Sequence, residues 1–339
     1  MRAIVVEQPG GPEVLQIGEL ADPTPGSGEL LVRVHATALN RLDLAQREGR
    51  YPVPPGAPDT LGVEMAGEVV GWGDETPGWS QGERVCALLP GGGYAELVTV
   101  PAGMAMRLPD VLSYEQGAAI PEVFLTAYLN LFTLGELPVG GFALVHAGAS
   151  GVGTAAIQLA REAGAAAIVT VGSDEKAARC RELGAVAALN YNAGPWEPGV
   201  REATGGRGVD VVLDMVGAPY WEQNLASLKV SGRLVLLSQL GGASREISLN
   251  AIQAKRLRVI GSGLRPLPLD QKVALTRDVA AFALPRFADG RLVPVVDRVY
   301  PWDQAPDAHR YMASNANVGK IVLRVTRTGM PLGSAAVTP

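Results

Sequence analysis

Hydrophobic and polar positions alternate most clearly over Glu29–Ala38. Leu30, Val32, Val34 and Ala36 fall on one face, and Leu31, Arg33, His35 and Thr37 on the other. That period of two predicts a half-buried strand. Residues 4–7 and 14–17 form two further strand candidates around the turn Gln8-Pro9-Gly10-Gly11-Pro12, and residues 62–71 and 84–89 add two more. Short strands at close spacing, separated by Gly and Pro turns, predict a small β-barrel.

From about Thr126 the pattern changes to apolar strands alternating with helical stretches. Residues 142–146, 167–171, 187–190, 209–214 and 233–238 read as strands, and 152–163, 174–183 and 220–228 as helices. Continuous apolar strands between helices predict a parallel sheet covered on both faces. A long helix follows at 270–283, and a last strand at 319–325 is expected to return to the first domain. The division expected is residues 1–123 completed by 266–327, a dinucleotide-binding domain at 124–265, and a disordered tail at 328–339.

Composition narrows the classes. The chain has 339 residues, 47% of them hydrophobic and 19% charged, which fits a two-domain globular protein rather than a disordered chain. The net charge is −5 and no basic run occurs, so nucleic acid is not an expected partner. Cys86 and Cys180 are the only cysteines, too few for a disulfide framework. The charge-free run 137–160 has the length of a membrane span. Gly140, Gly141, Gly148, Gly151 and Gly153 interrupt it, so it reads as strand, turn and helix. Without an apolar leader at Met1, the expected location is cytoplasmic and off the membrane.

The strongest local signal is Gly148-Ala149-Ser150-Gly151-Val152-Gly153, between an apolar strand and a helix rich in small residues. Glycines let the backbone approach a pyrophosphate, and the helix N-terminus offers free N–H groups to it. The spacing is G-x-x-G-x-G rather than the commoner G-x-G-x-x-G. An NAD site places an acid at the end of the second strand. Here Gly172-Ser173 stands there, with Lys176 just beyond and Tyr191 after the third strand. This set predicts NADPH, its 2′-phosphate held by Ser173, Lys176 and Tyr191. Asp174 and Glu175 read as solvated helix-start acids.

Four segments resemble the medium-chain dehydrogenase/reductase superfamily in its zinc-free quinone oxidoreductase branch, and within it the tumour-suppressor-inducible subfamily. They are ATALNRLDLAQREGRYPVPPGA at 36–57, AAIPEVFLTAYLNL at 118–131, HAGASGVGTAAIQLA at 146–160 and AHRYMASNANVGKIVL at 308–323. The resemblance implies an α/β chain with a GroES-like β-barrel domain, a doubly wound Rossmann domain and NADPH in the cleft between them. It implies nicotinamide-end contacts from Asn40, Tyr51 and Thr126, which also makes these the candidate catalytic residues. It implies phosphate contacts from Ser150, Gly151 and Val152, and further cofactor contacts from Gln239, Leu240, Gly263, Leu264 and Asn317. It also implies a homodimer, joined through the sheet-edge strand at 256–262.

Zinc members of the superfamily have a Cys within the stretch matching 39–43 and a Gly-His-Glu where this chain has Gly62-Val63-Glu64. Val63 cannot bind zinc, which needs Cys, His or carboxylate ligands. His35, His146 and His309 read as packed or solvated residues, so no metal is expected. Without a metal and with no evident acid–base pair, the expected reaction is hydride transfer from NADPH to a small quinone, an acceptor that needs little activation. Asn40 and Tyr51 are candidates to orient its carbonyl. The alternative reaction is reduction of an enone or enal, with Tyr51 as proton donor. A non-enzymatic NADPH sensor or RNA-binding role is the other class considered, and the acidic balance disfavours RNA.

Overall fold

The computed structural model describes residues 1–244 and 246–325. The tail expected from residue 328 lies outside them. The chain begins β1 (Arg2–Val5), β2 (Gln16–Glu19), β3 (Glu29–Ala38), α1 (Arg41–Arg47), β4 (Glu64–Trp72), β5 (Arg84–Leu88), β6 (Leu97–Pro101), β7 (Ala105–Arg107), α2 (Tyr114–Ala118) and α3 (Pro121–Tyr128). It continues β8 (Phe142–Val145), α4 (Gly151–Glu162), β9 (Ala166–Val171), α5 (Asp174–Glu182), β10 (Ala187–Asn190), α6 (Glu197–Ala203), β11 (Val209–Asp214), α7 (Trp221–Ser227), β12 (Leu228–Leu236), α8 (Asn250–Lys255) and β13 (Arg258–Gly261). It ends α9 (Leu269–Ala288), β14 (Val296–Pro301), α10 (Ala305–Ala313) and β15 (Lys320–Arg324).

The alternation in β3 is realised as predicted, with Leu30, Val32, Val34 and Ala36 buried. Its C-terminal end departs from the pattern, because Thr37 is also fully buried and its hydroxyl donates to the Glu64 carbonyl at 2.6 Å. β3 anchors a seven-stranded sheet in the order β14-β15-β3-β4-β5-β7, with β6 also on β3. β15 pairs antiparallel with β3 through Val322↔Ala38, so the last strand sits in the first strands' sheet. This brings Lys320, at the start of β15, to the end of β3.

The second sheet has six parallel strands in the order β10-β9-β8-β11-β12-β13. Renumbered within the unit, that is the doubly wound order 3-2-1-4-5-6, whose crevice opens at the carboxyl ends where the order reverses. Both faces are covered. On β8, Ala143 and Val145 join the larger core while Leu144 joins a second one with Ile168, Trp196 and Leu234. The charge-free run 137–160 is β8, the glycine turn and α4. One other stretch, Tyr114–Leu134, is long and apolar enough to cross a membrane, and it is mostly buried inside the protein.

Several elements escape the sequence pattern. α1 is only 7 residues long, too short for periodicity to register, and it is fixed by capping: the Asn40 N–H donates to the Asp43 carboxylate at 2.7 Å. β12 starts at Leu228, five residues before the predicted position, because it first pairs with Val209 and then shifts register. The Gly194-Pro195-Trp196-Glu197-Pro198 stretch buries Trp196 against His146, with ring centroids 4.8 Å apart.

Candidate active site

A cavity of about 630 Å³ lies between the two sheets. Its lining includes Asn40, Tyr51, Thr126, Ser150, Gly151, Val152, Lys176, Tyr191, Leu240, Gly263, Leu264 and Asn317 from the sequence-derived set. Ser173 and Gln239 do not line it. Ser173 instead caps α5, its hydroxyl accepting from the Lys176 N–H at 3.3 Å, which turns that oxygen to the helix. Gln239 is exposed beside the turn at Gly242.

The glycine turn works by close approach. A Cβ on Gly153 would lie 2.4 Å from the Gly148 carbonyl oxygen, and one on Gly148 would lie 2.4 Å from Val169 Cβ. A Cβ on Gly151 would meet Lys320 and Val123 at 2.7 and 2.8 Å. Backbone and sheet therefore meet without side chains between them. Ser150 caps α4 by accepting from the Gly153 N–H at 3.1 Å. Ser150, Gly151 and Val152 at that helix start line the cavity, and a helix N-terminus of this kind suits a phosphate.

One end of the cavity is cationic. Lys176 Nζ donates to the Asn315 carbonyl at 2.5 Å, and the Arg41 guanidinium donates to the Asn315 side chain. Two cations from different helices, α5 and α1, thus converge on Asn315, and all three line the cavity together with Tyr191. Partial burial and the nearby Arg41 charge lower the Lys176 pKa, with Asp297 opposing. Asp174 sits on α5 and accepts from Asn190 at 2.9 Å; neither it nor Glu175 lines the cavity.

The other end holds an enclosed charge network that the sequence analysis did not find. Lys320 Nζ donates to Leu39 O, Asn40 Oδ1 and Glu64 Oε1, each at 2.7 Å. Asn40 Nδ2 donates to Glu64 Oε1 at 2.8 Å, and the Glu122 N–H donates to Glu64 Oε2 at 2.8 Å. Asn40, a candidate to orient a substrate carbonyl, lines the cavity. Both ends of its amide also meet the network, the oxygen accepting from Lys320 and the nitrogen donating to Glu64. Thr126 donates to Glu122 Oε1 at 3.1 Å. Burial pushes the Asp43 carboxyl up to about 6, opposed by the Asn40 and Gly62 amides. Enclosure raises Glu122 to about 7; the Lys320 charge opposes this and the Glu64 charge adds to it. Glu122 and Lys320 had a readable signal, since each is a lone charge inside an apolar run, IPEVFL and GKIVL. What the signal meant depended on where the runs meet.

Tyr51 lines the cavity under Arg265, whose guanidinium carbon lies 5.3 Å from the ring centroid. The three histidines stand elsewhere. His146 bonds Thr170 and Asn224, His309 bonds Arg47 and Tyr94, and His35 stacks on Tyr114. The residues present do not fit a catalytic zinc. Val63 stands fully buried at the His position, and the Glu64 carboxylate beside it is taken by Lys320 and Asn40. Among the described residues no three His, Cys, Asp or Glu side chains form a metal cluster.

Two family profiles match the chain. Residues 26–110 match the alcohol dehydrogenase GroES-like domain, and residues 151–275 match the zinc-binding dehydrogenase family. The chain is 31% identical to the synaptic vesicle membrane protein VAT-1 homolog of Homo sapiens, over 95% of this chain and 86% of that one. It is 31% identical to the quinone oxidoreductase of Rattus norvegicus, over 95% and 97% of the two chains. The Escherichia coli quinone oxidoreductase, solved in complex with NADPH, superposes with a TM-score of 0.84 at 32% identity, over 96% of this chain and 100% of that one.

Proposed function

We propose, for a chain that belongs to the medium-chain dehydrogenase/reductase superfamily of oxidoreductases, that it is a zinc-independent NADPH:quinone reductase. The observation that carries this reading is the single cavity wall that joins three features: the α4 start, the Lys176–Arg41 cationic end, and the carboxyl end near Thr126. A dinucleotide fits that order, with pyrophosphate at α4, the 2′-phosphate at Lys176 and Arg41, and the nicotinamide beside Thr126. Bound there, NADPH supplies the hydride chemistry, and the protein holds the acceptor against it and excludes water. Leu39, Leu42, Val63, Leu88 and Leu89 give that end of the cavity an apolar wall suited to a flat aromatic acceptor.

A second reading, reduction of enones or enals, is favoured by one observation. That reaction needs a proton on carbon, and Glu122 is a carboxyl in the cleft with its acidity near neutrality. The test is NADPH oxidation by the pure protein against small ortho- and para-quinones and a set of enals, with NADH beside it. The expected outcome is rapid quinone turnover, preference for NADPH and no effect of chelators. Rapid turnover of enals with quinones untouched would move the assignment to the second reading.

A further inference from the structure

We propose that Glu122 is the proton source of the reduction, passing its carboxyl proton to the substrate through the Thr126 hydroxyl. The proposal rests on the reductase reading above. It starts from the arrangement of charges. Three carboxyl groups from three elements, Asp43 on α1, Glu64 on β4 and Glu122 on α3, surround one ammonium, Lys320 on β15. All three Lys320 protons are taken, by Leu39, Asn40 and Glu64. Asp43 accepts from the Asn40 and Gly62 amides and lies fully buried, away from the cavity lining. Glu122 is different. It makes no ion pair with Lys320 within contact distance, its side-chain bond is to Thr126, and both residues line the cavity.

Two carboxylates that share one neutralised site cannot both ionise cheaply, so one holds a proton. Glu64 holds the contacts to the Lys320 ammonium and to the Asn40 and Glu122 N–H groups, whereas the Glu122 carboxyl has only the Thr126 hydroxyl, so enclosure favours the neutral form of Glu122. That is the state in which a carboxyl can act as an acid, and its acidity near neutrality matches the working range of an efficient proton donor.

The balance is simple. Two-electron reduction of a quinone consumes the hydride that NADPH supplies and one proton. On the protein side, the Thr126 hydroxyl, which donates to Glu122 Oε1 at rest, turns toward the substrate, and the Glu122 O–H bond breaks as its proton moves to Thr126 Oγ1. The Thr126 proton moves to the anionic substrate oxygen, where a new O–H bond forms. The Glu122 carboxylate then takes a proton from water after product leaves. In alkene reduction the same proton goes to carbon.

The test pairs Glu122→Gln with the wild type. Glu122 is protonated below about pH 7 and loses its proton above it, so wild-type kcat should fall as pH rises through neutrality. The variant should lose about 10²-fold or more in kcat at low pH, with a flattened profile and NADPH affinity unchanged. Infrared spectroscopy gives a readout without turnover: the wild-type-minus-E122Q difference spectrum should show a protonated-carboxyl band near neutrality that is lost at alkaline pH, the Asp43 carboxyl, which titrates lower, cancelling between the two proteins. A variant within about threefold of wild type at every pH, or a difference spectrum without that band, overturns the proposal. If E122Q does not fold, Thr126→Val reads the same step; it should keep the band and lose kcat, and full activity in it overturns the relay. The difference band falls on Glu122 alone, whereas a wild type that reduces no quinone and no enal overturns the reductase reading.

Discussion

Lys176 on α5 and Arg41 on α1 meet over Asn315 at one end of the cavity. Their hydrogen bonds go to the Asn315 carbonyl and side-chain amide oxygens, and the Asp297 carboxylate acts on Lys176 only through space, so neither cation is ion-paired against a phosphate. Replacing Lys176 by Ala should weaken NADPH binding by about 1–3 kcal/mol, the scale of a charge-assisted hydrogen bond. NADH binding, measured by the same fluorescence titration, should change little. Equal losses for both cofactors would remove Lys176 from the 2′-phosphate. At this scale the sequence named Lys176 and Tyr191 by their position after parallel strands. It did not name Arg41, because nothing local places the start of α1 beside α5.

At the scale of the element, α4 shows two effects of opposite sign. Gly153 is its third residue, and helix propensity alone favours Ala there by about 1 kcal/mol. A Cβ at that position would lie 2.4 and 2.5 Å from two carbonyl oxygens of the turn, with no flexible group to yield. Overpacking of this kind costs about 1–3 kcal/mol, so the contact outweighs the propensity. Gly153→Ala should therefore destabilise the protein in urea and weaken cofactor binding. Gly71→Ala, whose Cβ would meet only Leu31 at 3.8 Å, should stay within about 0.5 kcal/mol. Equal stability of the two variants would refute the close-approach account.

Across the whole molecule, the edge of the parallel sheet is exposed. β13 ends the six-stranded order, with Arg258, Val259 and Gly261 open to solvent. An uncovered edge strand tends to pair, and a two-fold operation would join it to its own copy. The expected result is sedimentation as two chains at micromolar concentration, shifted toward one chain by Val259→Lys. A single-chain mass for the unaltered protein across that range would refute the dimer.

The sequence by itself determined the parts whose signals are local. Alternation in β3 and apolar runs in β8, β9 and β11 follow from burial on one face or two. The glycine turn is legible because only glycine tolerates its contacts, and the absent zinc ligand is legible because Val63 has no donor atom. The tertiary structure decided what depends on convergence. It tied Asn40, on the cavity wall, to Glu64 and Lys320, drew Ser173 into a helix cap and left Gln239 off the cavity wall. It also created the Glu122 site. Glu64, Glu122 and Lys320 are spread across 257 positions of sequence, and each alone is an ordinary charge. Only β15 returning to β3 brings the ammonium to the carboxyls. Only their shared enclosure, in which one cation serves three acids, changes what Glu122 can do.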